Sequence, residues 1–339
     1  MIGLIGFGSW GTALSVACSH NKKDILVWVR SKKQKFFFKK FFFNLKYTKN
    51  LYLKNNVTVT LNVDKLLKKS HTIILATPSF VLKYIFSRII KKIKEYHKIV
   101  ISCKGFSKGV LLHSVILSKL KNNKIAVLTG PSFATEVIGK KYTAINIASN
   151  DKSLLLELFL HFHSNSFHVY SSCDIVGLQL SSIYKNIIAF LSGIIENLEF
   201  GSNGKAALIT YSLSEFKNLI SLLKGKMYTI LSLGSIGDII LTCTSKKSRN
   251  YFFGYTLGKK NNVKFAKFFL SNTIESINNI TCLLFLSKKY NLKFKIPQEI
   301  KKLFLNNQSS LKCMKNIFQV NRRKDEKKSK VIFRINKIK

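Results

Sequence analysis

A chain of 339 residues with 46% hydrophobic side chains and a mean hydropathy of +0.10 has enough apolar material for two cores, which excludes a disordered chain. No uninterrupted apolar run reaches the ~18 residues of a membrane helix, and the six cysteines form no Cys-x-x-Cys pair, which argues against a zinc site and a compact disulfide framework. The formal net charge of +42 suggests a polyanion partner, but the lysines are spread over the whole chain and arginine occurs at only six positions, so compositional bias is the better reading and no specific nucleic-acid partner is expected.

The chain opens on its most informative stretch. Residues 1–5 are a short apolar run suited to a buried parallel strand, residues 10–19 read as a helix, and between them lies Gly6-Phe7-Gly8-Ser9-Trp10-Gly11. In this Gly-x-Gly-x-x-Gly spacing Gly6 allows the tight turn, Gly8 leaves no side chain between the backbone and a pyrophosphate, and Gly11 lets helix and strand pack closely. The unpaired N–H groups of the helix start then face the phosphates, so a dinucleotide site is expected. Met1 leads straight into the strand with no room for a signal peptide, and a cytoplasmic protein without membrane insertion is expected.

Residues 25–29 read as the second strand, ending at Arg30. An acidic residue there would hold the ribose 2′-OH of NAD(H), whereas Arg suits the 2′-phosphate of NADP(H), so the reading leans to NADP(H). The aromatic run 36–43 is split by Lys39 and Lys40 and is too short for a membrane anchor. Strand patterns recur at 57–63, 72–76, 98–101, 125–129 and 142–148 with helix-length segments between several of them, which predicts a Rossmann-like, doubly wound parallel sheet of the α/β class. Ligands of such sheets bind beyond the carboxyl ends of the strands. The segments there are Ala76-Thr77-Pro78-Ser79, Ser102-Cys103-Lys104-Gly105 and Gly130-Pro131-Ser132-Phe133-Ala134, and all three can line one crevice.

From Asp174 onward strand signals fade and an all-α C-terminal domain is predicted. The boundaries read as 1–172 for dinucleotide binding, 173–320 for a helical substrate and catalytic domain, and 321–339 for a disordered tail with nine basic and two acidic side chains. The helix predicted over 174–198 is mostly apolar yet carries Gln179, Lys185 and Asn186; the Lys185-Asn186 pair is costly to bury without partners and should face a site. Asp238 and Thr242, four residues apart, would share a helix face.

Taken together, Gly-Phe-Gly-Ser-Trp-Gly-Thr-Ala-Leu at the start, Lys104-Gly105, Gly-Pro-Ser-Phe-Ala-x-Glu136, Gly177-Leu-Gln-Leu with Lys185-Asn186, Asn203 before Ala-Ala-Leu-Ile-Thr, Gly237-Asp238 before Leu-Thr-Cys-Thr, and Ser-Arg-Asn-x-x-x-Gly resemble, in order and from residue 1 to about 285, the bacterial-type NAD(P)-dependent glycerol-3-phosphate dehydrogenases. The resemblance implies reversible reduction of dihydroxyacetone phosphate, a small phosphorylated substrate, to sn-glycerol 3-phosphate for glycerophospholipid synthesis, by a homodimer. It implies cofactor contacts from Ser9, Trp10, Arg30, Lys104, Ala134, Arg249 and Glu275. It also implies substrate contacts from Lys104, Gly130, Ser132, Lys185, Asp238, Ser248, Arg249 and Asn250, with Lys185 as proton donor and acceptor. The chain departs from the family pattern at Cys103, at Tyr211-Ser212 where the family has Arg-Gly, and in the approach Gly234-Ser235-Ile236-Gly237.

The chemistry agrees with that assignment. Reducing a ketone builds negative charge on its oxygen, which requires a proton donor and cationic stabilisation. No histidine lies in a motif, and His161, His163 and His168 lack further ligand spacing, so no metal site is expected. Burial and the Lys104 ammonium would lower the pKa of Lys185, while Asp238 would orient it; the three form the predicted catalytic set. Arg249, the only arginine between residues 89 and 321, offers with Asn250 a planar donor set for a phosphate. Two alternatives remain open: another Lys-Asn dehydrogenase of 3-hydroxyacid or 6-phosphogluconate type, and a degenerate, non-catalytic polyanion-binding protein.

Overall fold

The structure is a computed structural model that describes residues 1–44, 47–48, 53–107, 109–260, 275–292, 294–306 and 308–329; the side chains of residues 79, 80, 83, 260, 275–278 and 320–329 lie outside that description. Eight strands form one sheet: β1 (Ile2–Ile5), β2 (Ile25–Trp28), β3 (Val57–Thr60), β4 (Thr72–Leu75), β5 (Lys98–Ile101), β8 (Ile125–Thr129), β9 (Thr143–Ser149) and β10 (Phe167–Ser172). A small antiparallel hairpin, β6 (Phe106–Ser107) with β7 (Val110–Leu111), lies apart from it. The order across the sheet is β10-β9-β8-β5-β4-β1-β2-β3, the strand order reversing on either side of β1 as a doubly wound fold requires.

Both faces are covered. One carries α1 (Ser9–Ser19), α2 (Lys32–Phe41), α6 (Ala134–Ile138) and α7 (Lys152–Phe162), which pack Leu14, Phe38, Val137 and Leu158 against Leu4, Val27 and Ile145. On the other, α3 (Val63–Lys69), α4 (Ser79–Ile89), α5 (Leu112–Leu117) and the first turns of α8 (Ile175–Asn197) pack Leu66, Ile85, Ile116 and Leu178 against Ile5, Ile73 and Ile99. Strands buried on both faces read as continuous apolar runs, which is why the central ones were predictable.

Two details of the expected sheet are corrected and one strand is added. The sheet is not wholly parallel: β9 runs antiparallel to β8, with Thr129 opposite Asn146, so the connection from β8 to β9 returns beside its own strand instead of crossing over. The strand predicted over 57–63 ends at Thr60, because the Asn62 side chain accepts from the Asp64 and Lys65 amides at 2.8 and 3.0 Å and starts α3. An unpredicted edge strand, β10, pairs in parallel with β9. Its sequence Phe-His-Val-Tyr-Ser-Ser is half polar, as suits the edge of the sheet.

The chain divides into two compact units, Met1–Lys185 with Ile220–Leu241, and Asn186–Leu219 with Thr242–Lys339. The regular elements among the described residues of the second unit are helices, drawn from α8, α9 (Gly201–Leu222), α10 (Asp238–Cys243), α11 (Arg249–Lys260), α12 (Glu275–Lys289), α13 (Lys295–Leu305) and α14 (Ser310–Ser329). Its core contains a stack of Phe190, Phe253 and Phe304 with centroids 5.2 to 6.1 Å apart. Here α8 and α11 cross at glycines: a Cβ on Gly254 would lie 1.8 Å from the Phe190 carbonyl oxygen. The departure at Tyr211 has a packing role, since its ring meets Phe318 edge-on at 6.0 Å. Helix α14 carries the first nine residues of the stretch read as a disordered tail, and 330–339 lie outside the described residues. Among the described residues α8 is long and apolar enough to cross a membrane, but its apolar window is buried throughout, as expected of a core helix.

Candidate active site

The glycine-rich turn has the geometry that its spacing predicts. Gly6 has φ +111°, and Gly11 lies so near it that a Cβ there would sit 1.9 Å from the Gly6 carbonyl oxygen. Gly8 is different: a Cβ on it would meet nothing within 4 Å. Gly8 is the N-cap of α1, and neither a side-chain cap nor an acidic first-turn residue takes the N–H groups that open the helix. Two residues missed in the sequence brace the loop. Gln34 and buried Asn44 each donate to the Phe7 carbonyl at 3.0 Å, and Asn44 also donates to Thr12 Oγ1 at 2.9 Å. A dinucleotide pyrophosphate fits this cradle, which offers helix-start donors, an open glycine and no acidic residue in the first turn. Arg30 is exposed two residues beyond β2, and Ala134 opens α6, which packs against α1.

The strands β1, β4, β5 and β8 are adjacent and parallel, so the turns after them share one edge of the sheet. The Ala76, Lys104 and Gly130 segments therefore gather there, as expected. Lys104 is half-buried beside Gly105, whose φ is +136°. Gly130 lies against β9, where a Cβ would be 2.7 Å from the Ile145 Cα, and Ser132 Oγ donates to the Gly130 carbonyl at 3.0 Å.

At the same place Lys185 Nζ and Asp238 Oδ2 form an ion pair whose side chains are 3% and 1% exposed. Burial lowers the pKa of the Lys185 ammonium most; Asp238 opposes that, Lys104 adds to it, and the value falls to about 8. The buried Asp174 aligns the two elements that carry the pair. Its Oδ1 accepts from the Gly177 amide at 2.8 Å and caps α8, while its Oδ2 accepts from the Lys226 amide at 2.8 Å and Thr229 Oγ1 at 2.5 Å, on the segment leading to Asp238. An acidic residue just ahead of an apolar helix was the available signal for the cap; its second partner, about fifty residues on, left none.

Such an arrangement can hold a proton and release it near neutral pH, in a dry setting with a second cation in reach. Asp238 and Thr242 lie four apart in α10, as predicted. In the second unit Ser248 and Asn250 are buried and Arg249 is exposed; Ser248 Oγ accepts from the Tyr251 amide at 3.4 Å at the start of α11. Glu275 is the first residue of α12 and its side chain lies outside the described residues. No group of three or more potential metal ligands occurs among the described residues.

Comparisons with known proteins identify the family. Residues 1–155 match the family model described as NAD-dependent glycerol-3-phosphate dehydrogenase N-terminus, and residues 174–315 match its C-terminus counterpart. The chain is similar to the glycerol-3-phosphate dehydrogenase (NAD(P)+) of Halothermothrix orenii, 33% identical over 319 residues that cover 93% of this chain and 94% of that one. It is 31% identical over 320 residues to the enzyme of the same name from Wigglesworthia glossinidia brevipalpis, covering 94% and 97%. The crystal structure of glycerol-3-phosphate dehydrogenase from Coxiella burnetii superposes with a TM-score of 0.89 at 30% identity, covering 94% of this chain and 98% of that one.

Proposed function

Because the chain belongs to the NAD-dependent glycerol-3-phosphate dehydrogenase family, we propose that its own residues perform that reaction as follows. It is an NAD(P)-dependent oxidoreductase that reduces dihydroxyacetone phosphate to glycerol 3-phosphate. The nicotinamide, when bound, supplies the hydride or takes it back. Residues 1–172 serve the dinucleotide and 173–320 the substrate and proton transfer. Gly6, Gly8 and Gly11 cradle the pyrophosphate, with Ser9, Trp10, Arg30, Lys104, Ala134, Arg249 and Glu275 as further cofactor contacts. Arg30, exposed two residues beyond β2, suits the 2′-phosphate and favours NADPH.

Lys185 donates the proton that the developing alkoxide needs and accepts it in the reverse direction. The observation that carries this is the buried Lys185–Asp238 pair, with the pKa of Lys185 lowered to about 8. Asp238 orients the ammonium and keeps it charged before reaction, and Lys104 adds positive charge for the oxyanion. Gly130, Ser132, Ser248, Arg249 and Asn250 complete the substrate contacts, with the Arg249 guanidinium and the Asn250 amide holding the phosphate. The protein acts as a cytoplasmic homodimer in glycerophospholipid synthesis, without membrane insertion or a specific nucleic-acid partner. Steady-state oxidation of NADPH and NADH by the purified protein tests the reading. Dihydroxyacetone phosphate should turn over at least about 10²-fold more efficiently than unphosphorylated dihydroxyacetone, and equal efficiency with both would overturn it.

A further inference from the structure

Asp238 is the first residue of α10, and the π-helical turn Leu233–Gly237 immediately before it fixes where its carboxylate lies. The Gly234 amide sits in the first turn of that segment, where no acceptor within the helix is available to it. Its partner comes from the sheet: it donates to Asn146 Oδ1 at 2.7 Å, and the Asn146 amide nitrogen donates in turn to the Tyr170 carbonyl at 3.3 Å on β10. Asn146 is buried on β9 directly opposite Thr129, the last residue of β8 and the one before Gly130.

Gly234 is also closely packed by side chains from β8, β9 and α8. A Cβ there would lie 2.6 Å from Leu178 Cδ2, 3.0 Å from Thr129 Cγ2 and 3.3 Å from Asn146 Oδ1. Leu178 is seven residues before Lys185 in α8, two turns away on the same helix face. The turn is therefore packed against both the sheet and the helix that carries the lysine, and Asn146 supplies a hydrogen bond to it from the sheet.

We propose that Asn146 is a positioning residue for the proton-transfer pair: by capping the Leu233–Gly237 turn from β9 it holds Asp238 against Lys185. The inference rests on the reduction of dihydroxyacetone phosphate proposed above. Two charged groups act on the Lys185 ammonium, Asp238 favouring it and Lys104 opposing it. Freeing the turn weakens the first and leaves the second, so Lys185 gives up its proton at lower pH.

The test compares pH profiles of kcat for dihydroxyacetone phosphate reduction in the parent and two variants. Asn146→Leu keeps the volume and deletes the acceptor; it should move the alkaline limb down by about one pH unit and lower kcat roughly tenfold, with the KM for NADPH unchanged. Asn146→Asp keeps an acceptor for the Gly234 amide and should leave the limb where it is in the parent, or above it. Should Asn146→Leu fail to fold, Gly234→Ala displaces the same turn through its clash with Leu178 and should produce the same shift. A lower melting temperature with an unmoved limb, against an active parent, would reduce Asn146 to a structural residue and overturn the proposal alone. A parent without dihydroxyacetone phosphate turnover would sink the functional reading, and this proposal with it.

Discussion

Replacing Lys185 by Met separates what the buried pair contributes to catalysis from what it contributes to folding. Methionine keeps the unbranched length and apolar stem in a site that is 3% exposed, but it deletes the proton and the charge. Proton transfer by a placed side chain is worth roughly 10²–10⁴ in rate, and cationic stabilisation of the oxyanion roughly 10²–10³. The two overlap in one group and do not simply multiply, so turnover should fall by at least about 10³. The substitution also takes the ammonium away from Asp238, whose side chain is 1% exposed, and removing one partner of a buried pair costs about 3–5 kcal/mol. Lys104 lies close enough to bias the lysine and should hold the loss near the lower end, about 3 kcal/mol. The double variant Lys185→Met with Asp238→Asn removes the buried negative charge as well and should recover most of the lost melting temperature while remaining inactive. Nicotinamide absorbance gives the turnover and thermal melts give the stability. A Lys185→Met protein within a few-fold of the parent rate would refute the assignment and move suspicion to Lys104.

Two other predictions follow from the cofactor loop. Gly8→Ala should fold with the parent's melting temperature, because its Cβ meets nothing within 4 Å, yet lose dinucleotide affinity, whereas Gly11→Ala should be destabilised by several kcal/mol through its 1.9 Å clash with the Gly6 carbonyl; cofactor titrations alongside thermal melts check both, and tight NADPH binding by Gly8→Ala would count against the cradle. Arg30→Asp should lower the ratio of NADPH to NADH efficiency by about tenfold or more, and an unchanged ratio would remove Arg30 from cofactor selection.

How much of this was legible in the sequence depends on how local each cause is. Gly6, Gly8 and Gly11 could be read at once, because each answers to a constraint within a few residues: a positive φ, an open face, a close helix. Lys185 was legible for a related reason, since a charged residue inside an apolar helix needs a partner wherever that helix packs. The direction of β9 was not, because antiparallel and parallel neighbours share the same apolar pattern when both faces are buried. Nor was β10, whose free edge dilutes the apolar pattern of a strand with His168, Ser171 and Ser172. Asn146 looks like a polar interruption in an apolar strand; its meaning lies in an amide 88 residues further along the chain. The return of Ile220–Leu241 to the first compact unit, which brings Asp238 to Lys185, is equally a property of the folded chain alone.

The central claim is that one buried lysine exchanges the proton in both directions, and the pH dependence of the forward and reverse reactions tests it most directly. Reduction of dihydroxyacetone phosphate needs the ammonium and should fall as pH rises through about 8, while oxidation of glycerol 3-phosphate needs the neutral amine and should rise through the same region. Mirror-image limbs that cross near that pH, both abolished in Lys185→Met, are the predicted result. Limbs that stay flat across it in both directions, or that persist without Lys185, would contradict the account.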